Sequence, residues 1–162
     1  MYQWFVLLHV LSVFGFLMAH GISVGVAFAL RRERNLERIQ ALLNLSGNTM
    51  GVLHGSILIL LVSGTVSGFI GQWWRQGWIW LSLGLLLAIY IYMGVAAAGY
   101  YSRVRKAVGV SYMEGYKAKP PVEPANEVSI DALLRQSRPL VLAVVGFGGL
   151  AVIAWLMEFK PF

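Results

Sequence analysis

The chain has 162 residues, of which 58% are hydrophobic and 12% charged, with no cysteine and a formal charge of +6. A soluble domain carries nearer a quarter charged residues and could not hide this much apolar surface in a core of this size, so the composition points to a membrane-embedded protein. The lack of cysteine excludes a disulfide framework, Cys-ligated zinc or iron–sulfur and a thiol nucleophile.

Four apolar stretches follow in chain order, at about residues 4–30, 48–70, 78–101 and 139–157. Each is near the ~20 residues that cross ~30 Å of hydrocarbon. None contains Lys, Arg, Asp or Glu. Helices are the expected spanning form, because an isolated strand would leave its backbone polar groups unpaired in lipid. The expected fold is therefore all-α, a single domain built as a four-transmembrane-helix bundle. Ala27-Phe28-Ala29 mimics a signal-peptide cleavage site. The run before it has no basic start and is too long for a signal peptide, so it reads as a transmembrane helix.

Orientation follows from the basic residues. Arg31, Arg32, Arg34 and Arg38 follow the first stretch, and Arg103, Arg105, Lys106, Lys117, Lys119, Arg135 and Arg138 fall in segment 102–138. Only Arg75 follows the second stretch and only Lys160 the fourth. The positive-inside rule makes the two basic connecting segments cytoplasmic and puts both termini outside, in a multi-pass protein of the cytoplasmic (inner) membrane. The same flanking pattern explains the net charge without nucleic-acid binding.

The connecting segments carry signals of their own. Residues 33–45 place Leu36, Ile39, Leu42 and Leu43 on one face, which predicts a short amphipathic helix, on the inner surface or extending span one or two. Residues 107–128 read as irregular, since Lys119-Pro120-Pro121-Val122-Glu123-Pro124 cannot be helical throughout. Ser129 is the expected N-cap of a helix over 130–136, with Asp131 in its first turn, and Pro139 suits the start of span four. The tryptophans at 73, 74, 78 and 80 predict an interfacial aromatic belt, with a docking rim for a quinone or an extracytoplasmic partner as the sharper alternative. Gly21 with Gly25, Gly64 with Gly68, Gly94 with Ala98, and Gly146 with Gly149 predict close helix approach, within one bundle or in a homo-oligomer.

The functional argument rests on three histidines. His9 and His20 on span one are eleven residues apart, which puts them on one face, about 16 Å apart along the axis. Counting from the span midpoints places His20 roughly 4–5 Å and His54 of span two roughly 7–8 Å toward the inner side, with His9 about 12 Å toward the outer side. Two imidazoles at one depth on neighbouring helices can ligate haem axially, and Gly21, Gly55 and Gly51 would give the macrocycle clearance. Arg31 or Arg103 could pair with the propionates. Methionine beside imidazole, as at Met50 and His54 or Met18 and His20, can instead hold Cu(I). The plain alternative is that each histidine hydrogen-bonds across helices, with Ser12, Ser23, Ser56 and Ser63 as candidate partners. Hydrolytic or phosphoryl chemistry has no support: there is no intramembrane carboxylate and no phosphate-binding glycine loop.

The run from Trp4 through His9 to Gly15, the triplet Ala19-His20-Gly21, and Val24 to Arg38 leading into Ala41-Leu42-Leu43 resemble small bacterial membrane proteins of an uncharacterised-domain family, a match extending to Arg105. More remotely, the first-helix histidine is similar to that of the copper-resistance D-type membrane proteins and of the four-helix haem-associated protoporphyrinogen oxidase family. In the latter family, the resemblance implies a haem-site role for His9. That family carries a lysine after a third-helix tryptophan, whereas this chain reads Trp78-Ile79-Trp80-Leu81-Ser82. The departure speaks against that oxidase activity and leaves haem binding, with His9 a rival to His54.

The sequence thus leads to a b-type haem protein that uses His20, His54 and His9, in that order, to pass electrons to or from a membrane partner or quinone. A cofactor-free accessory subunit of a larger membrane complex is the second expectation, and a copper-handling protein the third.

Overall fold

A computed structural model describes residues 1–115 and 117–162. Helix α1 (Tyr2–Leu30) crosses the bundle unbroken. Helix α2 (Leu36–Asn48) runs on into α3 (Met50–Ile70) with only Thr49 between them. Helix α4 (Gly77–Met93) continues through a π-helical turn, Gly94–Ala98, into α5 (Gly99–Ala107). After a connecting layer, α7 (Pro139–Ala143) passes through a second π turn, Val144–Gly148, into α8 (Gly149–Phe159). Among the described residues four helical runs are long and apolar enough to cross a membrane: Tyr2–Leu30, Leu36–Ile70, Gly77–Ala107 and Pro139–Phe159. The all-helical bundle and its four spans are those expected from composition, with spans two and three reaching further on the basic side.

The amphipathic helix expected near residues 33–45 takes the option of extending span two. Its N-terminus is set by Asn35, whose side chain accepts from the Arg38 amide, and its apolar residues Ile39 and Leu43 are buried. The turn before it is closed by Glu33, whose carboxylate accepts from the Asn35 and Arg34 amides. These bonds hold the Glu33 carboxyl below the ordinary carboxylate range.

Two expectations for residues 107–136 are corrected. Within 107–128 the chain is not irregular throughout: β1 (Tyr112–Glu114) and β2 (Lys117–Lys119) pair antiparallel, Met113 opposite Ala118, with Gly115 at a positive φ of 61° in the turn. Helix α6 (Glu127–Arg135) starts three residues before the expected start, because Asn126 caps it by accepting from the Ser129 amide. Ser129 is therefore inside the helix, and Asp131 sits mid-helix, paired with Arg34 at 2.9 Å and Arg135 at 2.7 Å.

The helices pack as two tight pairs, α1 with α3 and α4 with α8. A mid-bundle core joins all four through Phe16, Leu60, Leu86, Ile89, Leu150 and Ile153. A second core closes the basic end, where Leu30, Ile39, Leu43, Val104, Val108 and Leu134 are almost fully buried. Long-range polar bonds reinforce this end: the Tyr101 hydroxyl donates to the Ser23 carbonyl (2.7 Å), Arg105 to the Leu43 carbonyl (2.9 Å) and Gln40 to the Val108 carbonyl (2.8 Å). At the opposite end, Trp73 packs on Trp78 and Trp74 on Trp80 with ring planes tilted by 55° and 59°, and the Lys160 ammonium lies 4.6 Å from the Trp73 ring centre. Tyr2 of α1 packs edge-on against Trp73, and Phe69 of α3 lies against Trp74.

Leu134 is the main apolar anchor of α6, and truncating a buried leucine costs about 2–5 kcal/mol. Leu134→Ala should therefore release α6 from α5 before it disturbs the spans. The expected readout is faster limited proteolysis within residues 120–138, with helix content by circular dichroism little changed.

Candidate histidine site

The three histidines lie on α1 and α3, and their rings turn to different neighbours. His9 is on the α1–α3 seam. Its Nδ1 is 3.0 Å from the Leu60 carbonyl and 3.3 Å from the Ser63 hydroxyl. A carbonyl only accepts, so Nδ1 carries the proton and donates. The ring lies over Gly64, where a Cβ would come within 2.9 Å of His9 Cε1. Ser12 donates back to the His9 carbonyl at 2.6 Å.

His20 is 5% exposed and faces span four rather than span two. Its ring stacks on Phe16, 5.9 Å between centres at 12°, and meets Phe147 edge-on at 5.0 Å. Nε2, an atom that could ligate iron, is buried without a hydrogen-bond partner and lies directly against Gly146. A Cβ at position 146 would overlap the imidazole. The π turn Val144–Gly148 surrounds this contact. Such turns occur where a helix accommodates an intruding group, and they are frequent at functional sites.

His54 is exposed on α3. Its Nδ1 donates to the Met50 carbonyl one turn back, at 2.8 Å, and its ring approaches Tyr90 of α4 edge-on at 6.4 Å. The pairing of His20 with His54 is therefore not formed. One ring fills a notch in span four, and the other lies on an exposed face beside span three. Counting along a helix leaves the direction around it undetermined.

Two of the glycines offered as haem clearance border open space and the third contacts Phe147. Nothing lies within 4 Å of where a Cβ would stand at Gly55 or Gly51, and at Gly21 a Cβ would make an ordinary 3.8 Å contact with Phe147. Met18 is 70% exposed, on a different face of α1 from buried His20, so the two cannot share one copper ion. Met50 meets His54 through its carbonyl. Among the described residues no group of three or more His, Cys, Asp or Glu could hold a metal. Ser82, at the place of the lysine noted above, is buried with an unpartnered hydroxyl.

Comparison with known proteins finds no matching family model, no matching curated protein and no matching solved structure. The chemistry has to be read from the side chains. These present histidines used as knobs: each imidazole of span one fits a glycine notch, His9 at Gly64 and His20 at Gly146. The sequence signal for the second notch was the run Gly146-Phe147-Gly148-Gly149, which reads as close helix approach and did not identify the histidine that fills it.

The notch makes a paired prediction. Gly146→Ala should lower the apparent melting temperature in detergent, because the methyl meets the imidazole. His20→Ala in the same chain should recover part of the loss. A double-mutant cycle should show a coupling of about 1–2 kcal/mol, in the range found for residues in contact. Additive effects would mean that the two do not touch.

Proposed function

We propose that this chain is a multi-pass protein of the cytoplasmic membrane that acts as a cofactor-free accessory subunit of a larger membrane assembly. Its basic end would face the cytoplasm and both termini the outside. The observation that carries this reading is the separate commitment of the three imidazoles. His9 is bonded to Leu60 and Ser63, His20 is seated on Gly146, and His54 is bonded to its own helix at Met50. No two of them face a shared space, so as arranged they do not fit a bis-histidine haem. Interhelical hydrogen bonding accounts for His9, while His20 packs by shape against Gly146 of span four.

Exposed side chains support the membrane part of the proposal. Leu7, Leu11, Phe14, Val62, Leu58, Leu87, Ile91, Val144 and Val152 leave apolar surface on all four spans, as lipid contact or a neighbouring subunit requires. The eleven basic residues on one side against two on the other support the orientation.

Two experiments test this. Protein purified in mild detergent should show no Soret band, no haem by pyridine haemochrome and no stoichiometric copper, and it should migrate on a native gel within a species larger than its own 17.9 kDa. A Soret band lost in His20→Ala would overturn the reading in favour of haem. For orientation, the natural absence of cysteine makes single-cysteine labelling clean. In intact cells an impermeant maleimide should label Arg75→Cys, while Lys117→Cys should react only after permeabilisation; the reverse pattern would invert the topology.

A further inference from the structure

We propose that two copies of this chain pair in the membrane through the exposed faces of α3 and α4, with His54 of each copy accepting a hydrogen bond from Tyr90 of the other. The pairing goes beyond the accessory reading and does not need it, since it concerns this chain alone.

The packing of the spans leaves that face open. Helix α3 lies against α1 and α4 against α8, while α3 and α4 have little backbone contact with each other. On α3, Gly51, His54, Gly55 and Leu58 have the spacing of one helical face. On α4, Leu87, Tyr90, Ile91 and Gly94 do the same. The side chains of His54, Leu58, Leu87, Tyr90 and Ile91 are all exposed.

One atom on this face cannot satisfy itself. His54 Nδ1 donates to the Met50 carbonyl at 2.8 Å, so Nε2 keeps its lone pair and needs a donor. Among the described residues it has none. A hydroxyl such as that of exposed Thr65 can turn back to a carbonyl of its own helix. The imidazole nitrogen has no such option, because the amides of a helix interior are already used. Lipid offers no donor either. His54 is about 24 Å along the axis from Ile70, the end of α3, and so lies within ~30 Å of hydrocarbon.

The missing donor is on the same face. The Tyr90 ring meets the His54 ring edge-on, 6.4 Å between centres at 88°, with no hydrogen bond between the two. The Tyr90 hydroxyl has no other partner among the described residues and is 43% exposed as a residue. One chain thus presents an unused acceptor beside an unused donor. In a two-fold pair, if one residue meets a second across the axis, the second also meets the first. An axis along the membrane normal leaves every depth unchanged, so such residues must share a level. His54 and Tyr90 do, because their rings are already neighbours. The axis then forms both bonds at once, each imidazole taking the phenol of the other copy. An unrelated helix would have to bring both a donor and an acceptor to that level, whereas this face already carries both.

The backbones can come close enough. At Gly51, Gly55 and Gly94 nothing in the chain lies within 4 Å of where a Cβ would stand. Gly64, Gly146 and Gly149, by contrast, each receive a side chain from another helix. The open glycines flank His54 and sit one turn from Tyr90, so two copies can approach at the level of the bonds.

The test is sedimentation equilibrium of the purified full chain in neutral detergent, over a series of detergent-to-protein ratios. A monomer–dimer equilibrium is expected. His54→Leu should weaken the dimer roughly tenfold, about threefold for each of the two bonds lost. Tyr90→Phe should do the same, and both changes together should cost no more than either alone, since they remove the same bonds. Gly55→Leu should abolish the dimer with helix content by circular dichroism unchanged, because the chain itself leaves that space empty. In vesicles, oxidation should cross-link Leu58→Cys to a second copy, and should not cross-link Leu11→Cys on the exposed face of α1. A chain that stays monomeric at every ratio overturns the proposal. So do a dimer that His54→Leu and Gly55→Leu leave intact, additive losses in the double variant, or cross-linking through Leu11→Cys alone. The accessory reading is decided separately, by the haem assay.

Discussion

The seating of the first helix against its neighbours is the constraint on which the rest of the bundle depends. In lipid no hydrophobic force draws one apolar helix to another, so association relies on close packing and on interhelical polar contacts. Helix α1 uses both. Toward α3 it presents Gly15 to Ser56, where a Cβ would come within 2.5 Å of the serine hydroxyl, and it sets His9 over Gly64 with a bond to the Leu60 carbonyl. Toward span four it sets His20 over Gly146. One helix thus joins both helix pairs, and the mid-bundle core from Phe16 to Ile153 closes around that arrangement.

The two ends are finished by different chemistry. At the basic end a core forms from Leu30, Ile39, Val104 and Leu134, with the long side chains of Gln40 and Arg105 reaching backbone carbonyls across the layer. At the other end the connection is short and aromatic. Tyr2, Trp73, Trp78 and Lys160 bring the start of α1, the loop after α3, the start of α4 and the residue after α8 into one cluster. The bundle is therefore closed by buried apolar area on one side and by edge-on and tilted ring contacts and cation–π contact on the other.

Glycine has an unexpected division of labour. The small-residue pairs predict helix backbones in contact, yet several of the glycines admit a side chain instead: Gly64 admits His9, Gly68 admits Trp74 and Ile79, Gly146 admits His20 and Gly149 admits Ile89. Spacing alone reports that something comes close, and the identity of the visitor depends on which helix is the neighbour. The two π turns, in spans three and four, likewise lie in glycine-containing apolar runs that read as uniform helix.

Composition and local pattern by themselves determined that the chain has four spans, that basic residues gather at one end, that an amphipathic helix precedes the second span and that proline opens the fourth. These follow from hydrocarbon thickness, backbone hydrogen bonding and helical period, which act within a single segment. Only the tertiary structure decided what the histidines do. Rise per residue measures position along an axis and says nothing of direction around it. The direction of each ring depends on helix neighbours and crossing, which come from packing between segments distant in the chain. For the same reason the hairpin at 112–119 and the earlier start of α6 emerge only with their partners, through the Ser102 contact to Met113 and the burial of Ile130 and Leu134.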